Sequence, residues 1–318
     1  MKLTAAFFRL IRWPNLIFIA LTQVLFYYCI IIPSLPPGYY QLQHKLTTSV
    51  FYLIVAASVL IAAAGYIIND YFDINIDQVN KPEKMVLQKI INRRWAIFLH
   101  LFITFAGLTV SMYVSIKTSF IIIIANVICA LLLWVYSTTF KKKLLSGNII
   151  ISGLTAWTVL VLYFATHTTI TINPRQLPDI NSGMHTIYKF AALYAGFAFI
   201  ISLIREVVKD IEDIEGDSRY NCKTMPVVWG VPAAKVFVGV WLVVLIGALL
   251  IVQFYVLQIG WWPSSIYIFL MVIIPLLRIL QLFYRAQTPS QYHRISSLVK
   301  MVMLTGILSM FLFRVYGF

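Results

Sequence analysis

The sequence has little charge and few of the side chains that usually bind transition metals or form disulfides. Only 11% of its 318 residues are charged and 61% are hydrophobic, whereas a soluble domain has about 25% charged residues. An ordinary soluble fold is therefore excluded. The three cysteines, Cys29, Cys129 and Cys222, are isolated, which argues against a disulfide framework or a Cys-x-x-Cys metal site. The five histidines do not cluster in the sequence, so a zinc or haem site is not expected.

Long apolar runs make up most of the chain. A helix needs about 20 mostly apolar residues to cross the hydrocarbon layer of a membrane, and nine runs meet this requirement. The sequence therefore predicts an all-α, polytopic membrane protein, and residues 1–318 are expected to form one membrane domain. The predicted spans are 14–33, 47–69, 95–114, 118–136, 148–165, 187–208, 233–257, 263–284 and 296–316.

The net charge of +14 comes from basic residues that gather on one side of the predicted membrane. Most of the 25 Lys and Arg fall in the amino-terminal segment and in the connections after the even-numbered spans. By the positive-inside rule this side is cytoplasmic. We therefore expect an inner or plasma membrane protein with its amino terminus inside and its carboxyl terminus outside. The same distribution argues against a nucleic acid partner.

The few acidic residues are concentrated in two stretches, 70–83 and 206–217, which hold all but Asp179 of the 11. The spacing Asp-x-x-Asp-x-x-x-Asp occurs once in each stretch. The six aspartates are Asp70, Asp73, Asp77, Asp210, Asp213 and Asp217. On a helix this spacing lies within an arc of about 60°. Each triplet therefore predicts one acidic stripe, at the cytoplasmic end of span 2 or span 6.

Two facing stripes of carboxylates predict a site for a hard divalent cation. Mg²⁺ prefers oxygen ligands, takes one or two carboxylates, and fills its other positions with water and phosphate oxygens. Like charges along one helix face repel, so a function is expected to offset the repulsion. We therefore predict that the six aspartates bind Mg²⁺ at the membrane surface.

The residues around both stripes resemble the two aspartate-rich signatures of the UbiA superfamily of membrane prenyltransferases. The first signature, Asn-x-x-x-Asp-x-x-x-Asp, matches Asn69, Asp73 and Asp77, and the second, ending in Asp-x-x-x-Asp, matches Asp213 and Asp217. That superfamily has nine spans with its signatures after spans 2 and 6. The resemblance implies a helical bundle around a central cavity, with cytoplasmic cap loops after helices 2 and 6. It also implies that the five matched residues are catalytic.

The resemblance further implies Mg²⁺-dependent transfer of a prenyl group from a prenyl diphosphate. The diphosphate would lie at the stripes, with its hydrocarbon tail in an apolar chamber in contact with membrane lipids. The expected substrate-binding residues are Arg12, Asn15, Lys81, Lys84, Tyr136, Lys141, Arg205, Lys209 and Lys223. Many members carry an Arg after the Lys-Pro pair where this chain has Lys84, which acts only as a point charge.

The acceptor is predicted from the amino-acid sequence of residues 205–217. This stretch is most similar to the branch that geranylgeranylates geranylgeranylglyceryl phosphate, a lipid acceptor, in ether-lipid synthesis. An aromatic acceptor of the quinone pathways is an alternative. A cation transporter is an alternative of another class, but Asp and Glu are absent from the predicted span centres, which favours surface chemistry. For Arg205, a simple ion pair with Glu206 or with an aspartate of the stripe is an equally good interpretation.

Overall fold

The computed structural model describes residues 2–35, 46–80, 82–167 and 178–316, and within these ranges it contains helices and no strand. The helices are α1 (Lys2–Leu10), α2 (Trp13–Ser34), α3 (Thr48–Asn80), α4 (Arg93–Lys117), α5 (Phe120–Thr138), α6 (Ser146–His167), α7 (Pro178–Glu212), α8 (Ile214–Arg219), α9 (Met225–Val228), α10 (Gly230–Gln258), α11 (Trp262–Arg285), α12 (Pro289–Leu308) and α13 (Met310–Tyr316). Short π-helical turns interrupt α2 at Tyr27–Ile31 and α11 at Phe269–Ile273.

Nine helical segments in the described ranges are long and apolar enough to cross a membrane. They are α2 to α7, α10, α11, and the segment Pro289–Val315 that joins α12 to α13. The predicted all-α class and the nine predicted spans are confirmed. The clearest differences in boundary are at the second and sixth spans, where α3 continues to Asn80 and α7 to Glu212, past the ends of the apolar runs.

The chain divides into two compact units, of which the first comprises residues 1–27, 34–140 and 157–192. Here α1 packs on α2 and α3, and α3 packs on α4 and α5. Gly65 allows α5 to approach α3 closely, because a Cβ atom at this position would lie 2.8 Å from Leu133 Cδ1. The connection after α3 returns to this core, where Leu87 and Ile91 are buried together with residues of α1, α3 and α4.

The second unit comprises residues 28–33, 141–156 and 193–318. Its core is built by apolar side chains of α7, α10, α11 and α12, such as Val208, Leu242, Leu276 and Val299. The short helix α9 contributes the buried Met225. The connections after α3 and after α7 thus pack on the core of their own units. That they cap a central cavity stays a prediction.

Candidate functional site

The first acidic stretch lies on one uninterrupted helix, as its spacing predicts. Asp70, Asp73 and Asp77 all belong to α3, which ends only at Asn80. Asp73 and Asn69 are buried, with exposed fractions of 3% and 8%, whereas Asp77 is half-buried. A carboxylate buried to this extent is costly unless a positive charge or hydrogen-bond donors compensate it.

Arg12 supplies positive charge to this stretch. It connects α1 to α2 in a left-handed backbone conformation with φ of 51°. Its Nη2 donates to Asp70 Oδ1 at 2.6 Å and to Asn69 Oδ1 at 3.4 Å, and its guanidinium lies 5.2 Å from the centroid of the Tyr66 ring. Burial lowers the pKa of Arg12, but the nearby Asp70, Tyr66 and Asp73 outweigh burial and raise that pKa above its usual value. The side chain therefore stays charged.

The second acidic stretch differs from its prediction. The helix α7 ends at Glu212, Asp213 lies between two helices with φ of −96° and ψ of 9°, and α8 begins at Ile214. The prediction of a single helical stripe is therefore wrong for this triplet. The backbone N–H of Asp213 still bonds to the Lys209 oxygen at 2.8 Å, and that of Asp217 bonds to the Asp213 oxygen at 3.1 Å. The backbone around Asp213 thus stays close to helical geometry despite the break.

The connection between α5 and α6 contacts the second acidic stretch. Asn148 Nδ2 donates to Asp210 Oδ2 at 2.7 Å, and Lys141 lies near enough for its charge to act on Asp210. The backbone N–H of Lys223 donates to the Lys142 oxygen at 2.8 Å. Two of the predicted substrate-binding lysines thus belong to segments that meet beside this stretch. Asn148, five residues after the lysine run 141–143, was not among the predicted site residues.

The third aspartate of the second stretch, Asp217, is buried with an exposed fraction of 6% and accepts a hydrogen bond from Thr224 Oγ1 at 3.3 Å. Asp213 is half-buried. Thr224 precedes α9 in sequence and was not predicted as a site residue. This hydrogen bond ties the loop after α8 to the acidic stretch.

Two predicted substrate-binding cations of α7 share one carboxylate oxygen. Arg205 Nη1 donates to Glu206 Oε1 at 3.1 Å, and Lys209 Nζ donates to the same atom at 2.7 Å. The ion pair between Arg205 and Glu206 that the sequence left open is therefore present. A role of either cation in substrate binding stays a prediction.

The other predicted residues lie at the ends of helices. Asn15 is half-buried in the first turn of α2, where its N–H bonds to the Arg12 oxygen at 2.8 Å, and Tyr136 is half-buried in the last turn of α5. Lys84 belongs to the short 3₁₀ turn Pro82–Lys84. Lys81 lies outside the described residues.

The donor chemistry of both stretches suits Mg²⁺. Every predicted metal ligand presents carboxylate oxygens, and no group of three or more His, Cys, Asp or Glu side chains in the described parts of the chain forms a ready cage. A Mg²⁺ ion typically keeps water and phosphate oxygens among its ligands, so a full protein cage is not required. The residues present therefore fit an ion that is bound together with a phosphate group.

The fold and these acidic helix ends define an integral membrane protein with oxygen-donor sites at the ends of its second and sixth spans. Residues 13–304 match the sequence profile of the UbiA prenyltransferase family. The chain belongs to the UbiA prenyltransferase family and is therefore an enzyme.

Curated relatives carry a more specific name. The digeranylgeranylglyceryl phosphate synthase of Methanosphaera stadtmanae is 26% identical over 248 residues, which are 77% of this chain and 81% of that protein. The synthase of the same name from Thermococcus gammatolerans is 33% identical over 168 residues, 53% of this chain and 52% of that protein. The second alignment thus spans about half of the relative's length.

Solved structures share the fold. A structure described as that of digeranylgeranylglyceryl phosphate synthase in membranes is 22% identical with a TM-score of 0.60, covering 98% of this chain and 99% of its own. A UbiA homologue from Archaeoglobus fulgidus, described as bound to DMAPP and Mg²⁺, is 15% identical with a TM-score of 0.57, covering 96% of this chain and 98% of its own. These likenesses establish the UbiA fold for this chain.

Proposed function

We propose that this enzyme transfers a geranylgeranyl group from geranylgeranyl diphosphate to the hydroxyl of geranylgeranylglyceryl phosphate, in a Mg²⁺-dependent step of ether-lipid synthesis. In this proposal the whole chain, residues 1–318, is one catalytic domain. The observation that carries the choice of acceptor is the similarity, over 77% of the chain, to a relative named for that product.

In this proposal, Mg²⁺ is held by carboxylates of both acidic stretches. Asp73 and Asp77 with Asn69 would serve on one stretch, and Asp213 and Asp217 on the other. Asp70 and Asp210 already contact Arg12 and Asn148, so they would orient their stretches more than they bind the ion. The A. fulgidus homologue described with DMAPP and Mg²⁺ supports this cofactor. When bound, Mg²⁺ supplies positive charge that balances the diphosphate.

The protein's own cations would stabilise the leaving group. Lys141 and Lys223 belong to segments that meet beside Asp210, where their charges would offset the negative charge that develops as the carbon–oxygen bond of the donor breaks. The acceptor hydroxyl oxygen then forms a new bond to the allylic carbon, its proton leaves to a base, and pyrophosphate departs. Apolar spans would keep competing water away from the allylic cation.

The direct test is a transfer assay with the purified full-length chain in detergent. With Mg²⁺, labelled geranylgeranyl diphosphate and geranylgeranylglyceryl phosphate, we expect a lipid product of the mass of the diether phosphate, and chelation of Mg²⁺ with EDTA is expected to abolish it. Mass spectrometry of the products from a mixed acceptor pool identifies the acceptor. Product formed only from hydroxybenzoate or dihydroxynaphthoate would contradict the proposal.

The proposed site faces the cytoplasm, and this orientation has its own test. The positive-inside rule places the connection at Lys142 inside and Ser182 outside, and both side chains are exposed. In a background without the three native cysteines, Lys142→Cys in right-side-out vesicles is expected to react with an impermeant maleimide only after permeabilisation. Ser182→Cys is expected to react before it. Equal labelling of both positions in sealed vesicles would refute the topology.

A further inference from the structure

The exposed side of α11 changes from apolar to basic towards the end of the helix. From Trp262 to Ile274, its exposed large side chains are apolar. The last two turns present Arg278, Gln281 and Arg285, which are exposed as well and lie within an arc of about 60° by helix geometry. The opposite side of α11 packs into the apolar core of the second unit. We call these three residues the basic stripe.

Arg278 belongs to the part of α11 that the bilayer is expected to enclose. Trp262, which is 61% exposed, begins the helix and is of the type that marks a membrane boundary. Arg278 follows about 24 Å further along the helix, whereas the hydrocarbon layer is about 30 Å thick. The positive-inside rule places this end of α11 in the cytoplasmic leaflet. The backbone of Arg278 therefore lies at the inner edge of the hydrocarbon layer, and Arg285 lies about 10 Å further along, at the level of the headgroups.

The Arg278 side chain extends towards the end of the helix. Its Nη1 lies 3.5 Å from Gln281 Oε1, one turn further along. Arginines near the ends of spans extend in this way to bring their charge out of the hydrocarbon layer. Neither Arg278 nor Arg285 makes an ion pair with a described residue, and no Asp or Glu follows Asp217 in the sequence. The described chain thus supplies no carboxylate for either charge.

Stabilisation of the helix end does not account for Arg278. A positive charge interacts favourably with the carboxyl-terminal end of a helix only within the last turn, and Arg278 lies two turns before the end of α11. Lys235 Nζ already donates to the backbone oxygens of Tyr284 and Ala286 at this end. Tyr292 Oη donates to the Ala286 oxygen as well, at 2.9 Å. The basic stripe is therefore available to bind another group.

We propose that the basic stripe binds the phosphate of an anionic phospholipid in the cytoplasmic leaflet. A guanidinium donates in a planar fork that matches phosphate oxygens, and the Arg278 side chain extends along the helix towards Arg285. The two guanidinium charges together exceed the single negative charge of a phosphodiester. A zwitterionic headgroup would add an ammonium, which the stripe would repel because no carboxylate is paired with it. The charge balance therefore favours a headgroup that adds no positive charge.

The residues around the stripe suit the other parts of such a lipid. Ile266, Leu270 and Ile274 are exposed on the preceding turns and would contact the acyl chains. Tyr284 is 84% exposed one turn after Gln281, and an aromatic ring with a polar tip is typical of the headgroup level. The proposed metal ligands belong to α3 and to the end of α7, not to α11. This phospholipid would be a component of the bilayer and not a substrate, so its binding does not depend on the proposed function.

The test titrates the delipidated full-length chain in detergent with phosphatidylglycerol or phosphatidylcholine and counts bound lipids by native mass spectrometry. The wild type is expected to bind its first phosphatidylglycerol about 10- to 30-fold more tightly than phosphatidylcholine, because each basic residue near an anionic lipid contributes about a factor of five. Arg278→Gln and Arg285→Gln are each expected to weaken phosphatidylglycerol binding about 5-fold, and the double variant about 30-fold. Binding of phosphatidylcholine is expected to change by less than about 2-fold. Arg278→Lys keeps the charge and is expected to stay within about 2-fold of the wild type.

The matched control is Arg94→Gln. Arg94 is also exposed, at the start of α4, and makes no ion pair with a described residue. Its removal lowers the positive charge by the same amount on a different helix, and it is expected to leave the first phosphatidylglycerol bound as tightly as in the wild type. Because both arginines of the stripe are exposed, all variants are expected to keep the wild-type Tm in lipid-free detergent.

Four results would overturn the lipid site. The wild type could bind both lipids with equal affinity, a result that needs no variant and so decides the matter even if a variant fails to fold. The double variant could keep the affinity of the wild type for phosphatidylglycerol. Arg94→Gln could lose as much affinity as Arg278→Gln, which would indicate a general attraction to the basic surface. A raised KM for the lipid acceptor in Arg278→Gln would assign the stripe to that substrate instead.

Discussion

Replacing Asp73 with asparagine is expected to lower kcat/KM by about 10²- to 10³-fold, a loss typical of removing one preorganised electrostatic group from an active site. Asp73 is 3% exposed on α3, one helical turn after Asn69, where the charge of Arg12 reaches it. Asparagine keeps the shape of the side chain and removes its negative charge. Steady-state transfer to geranylgeranylglyceryl phosphate, measured over a range of Mg²⁺ concentrations, checks the prediction.

The control for this variant is Glu83→Gln, because Glu83 is an exposed residue of the turn Pro82–Lys84. It removes one negative charge from the connection that follows α3 without touching a buried carboxylate, and it is expected to keep wild-type kinetics. Both proteins should show the wild-type Tm in detergent. Near-normal turnover of Asp73→Asn with an unaltered Mg²⁺ requirement would show that Asp73 does not bind the ion.

The spans were predictable because the membrane imposes a simple physical rule. A helix is the element that satisfies its own backbone hydrogen bonds inside a bilayer, so each long apolar run had to be a helix. The continuation of α3 to Asn80 was predictable as well, because the first aspartate triplet has helical spacing. The polar residues at the end of α3 lie beyond the apolar run that predicts the span. Only their helical periodicity identifies them as part of the helix.

The same periodicity failed at the second triplet. Residues 210–217 have identical aspartate spacing and no proline, yet α7 ends at Glu212. Asp is a poor residue for helix interiors and a favoured residue at helix starts, and Asp213 does precede α8, although its side chain makes no capping hydrogen bond. A local preference of this size breaks a helix only when tertiary packing favours the break as well. The spacing of the aspartates carries no information on that packing.

The side chains that contact the aspartates could not be predicted from the local sequence either. Arg12 reaches Asp70 across 58 positions of sequence, and Asn148 reaches Asp210 across 62. Such contacts follow from which helices pack together and in which register, and a periodic pattern carries no information on either.

Asparagine at position 213 is expected to cause a loss of kcat/KM of the same order, about 10²- to 10³-fold. Asp213 is half-buried between α7 and α8, and its N–H holds the last turn of α7 through Lys209. Asparagine preserves that backbone bond, so the expected loss comes from the carboxylate charge alone. Glu215→Gln is the matched control, because Glu215 is 70% exposed in a surface pair with Arg219 and such pairs contribute little.

The double variant Asp73→Asn/Asp213→Asn separates a shared site from two independent ones. Residues that act as a unit in catalysis show strongly non-additive effects. If both carboxylates serve one metal–diphosphate assembly, the double variant is expected to be only slightly slower than the slower single variant. Losses that multiply would show that the two acidic stretches act separately, and a wild-type rate for Asp213→Asn would remove the second stretch from the chemistry. Single-turnover measurements at saturating donor distinguish these outcomes, because they report the chemical step without product release.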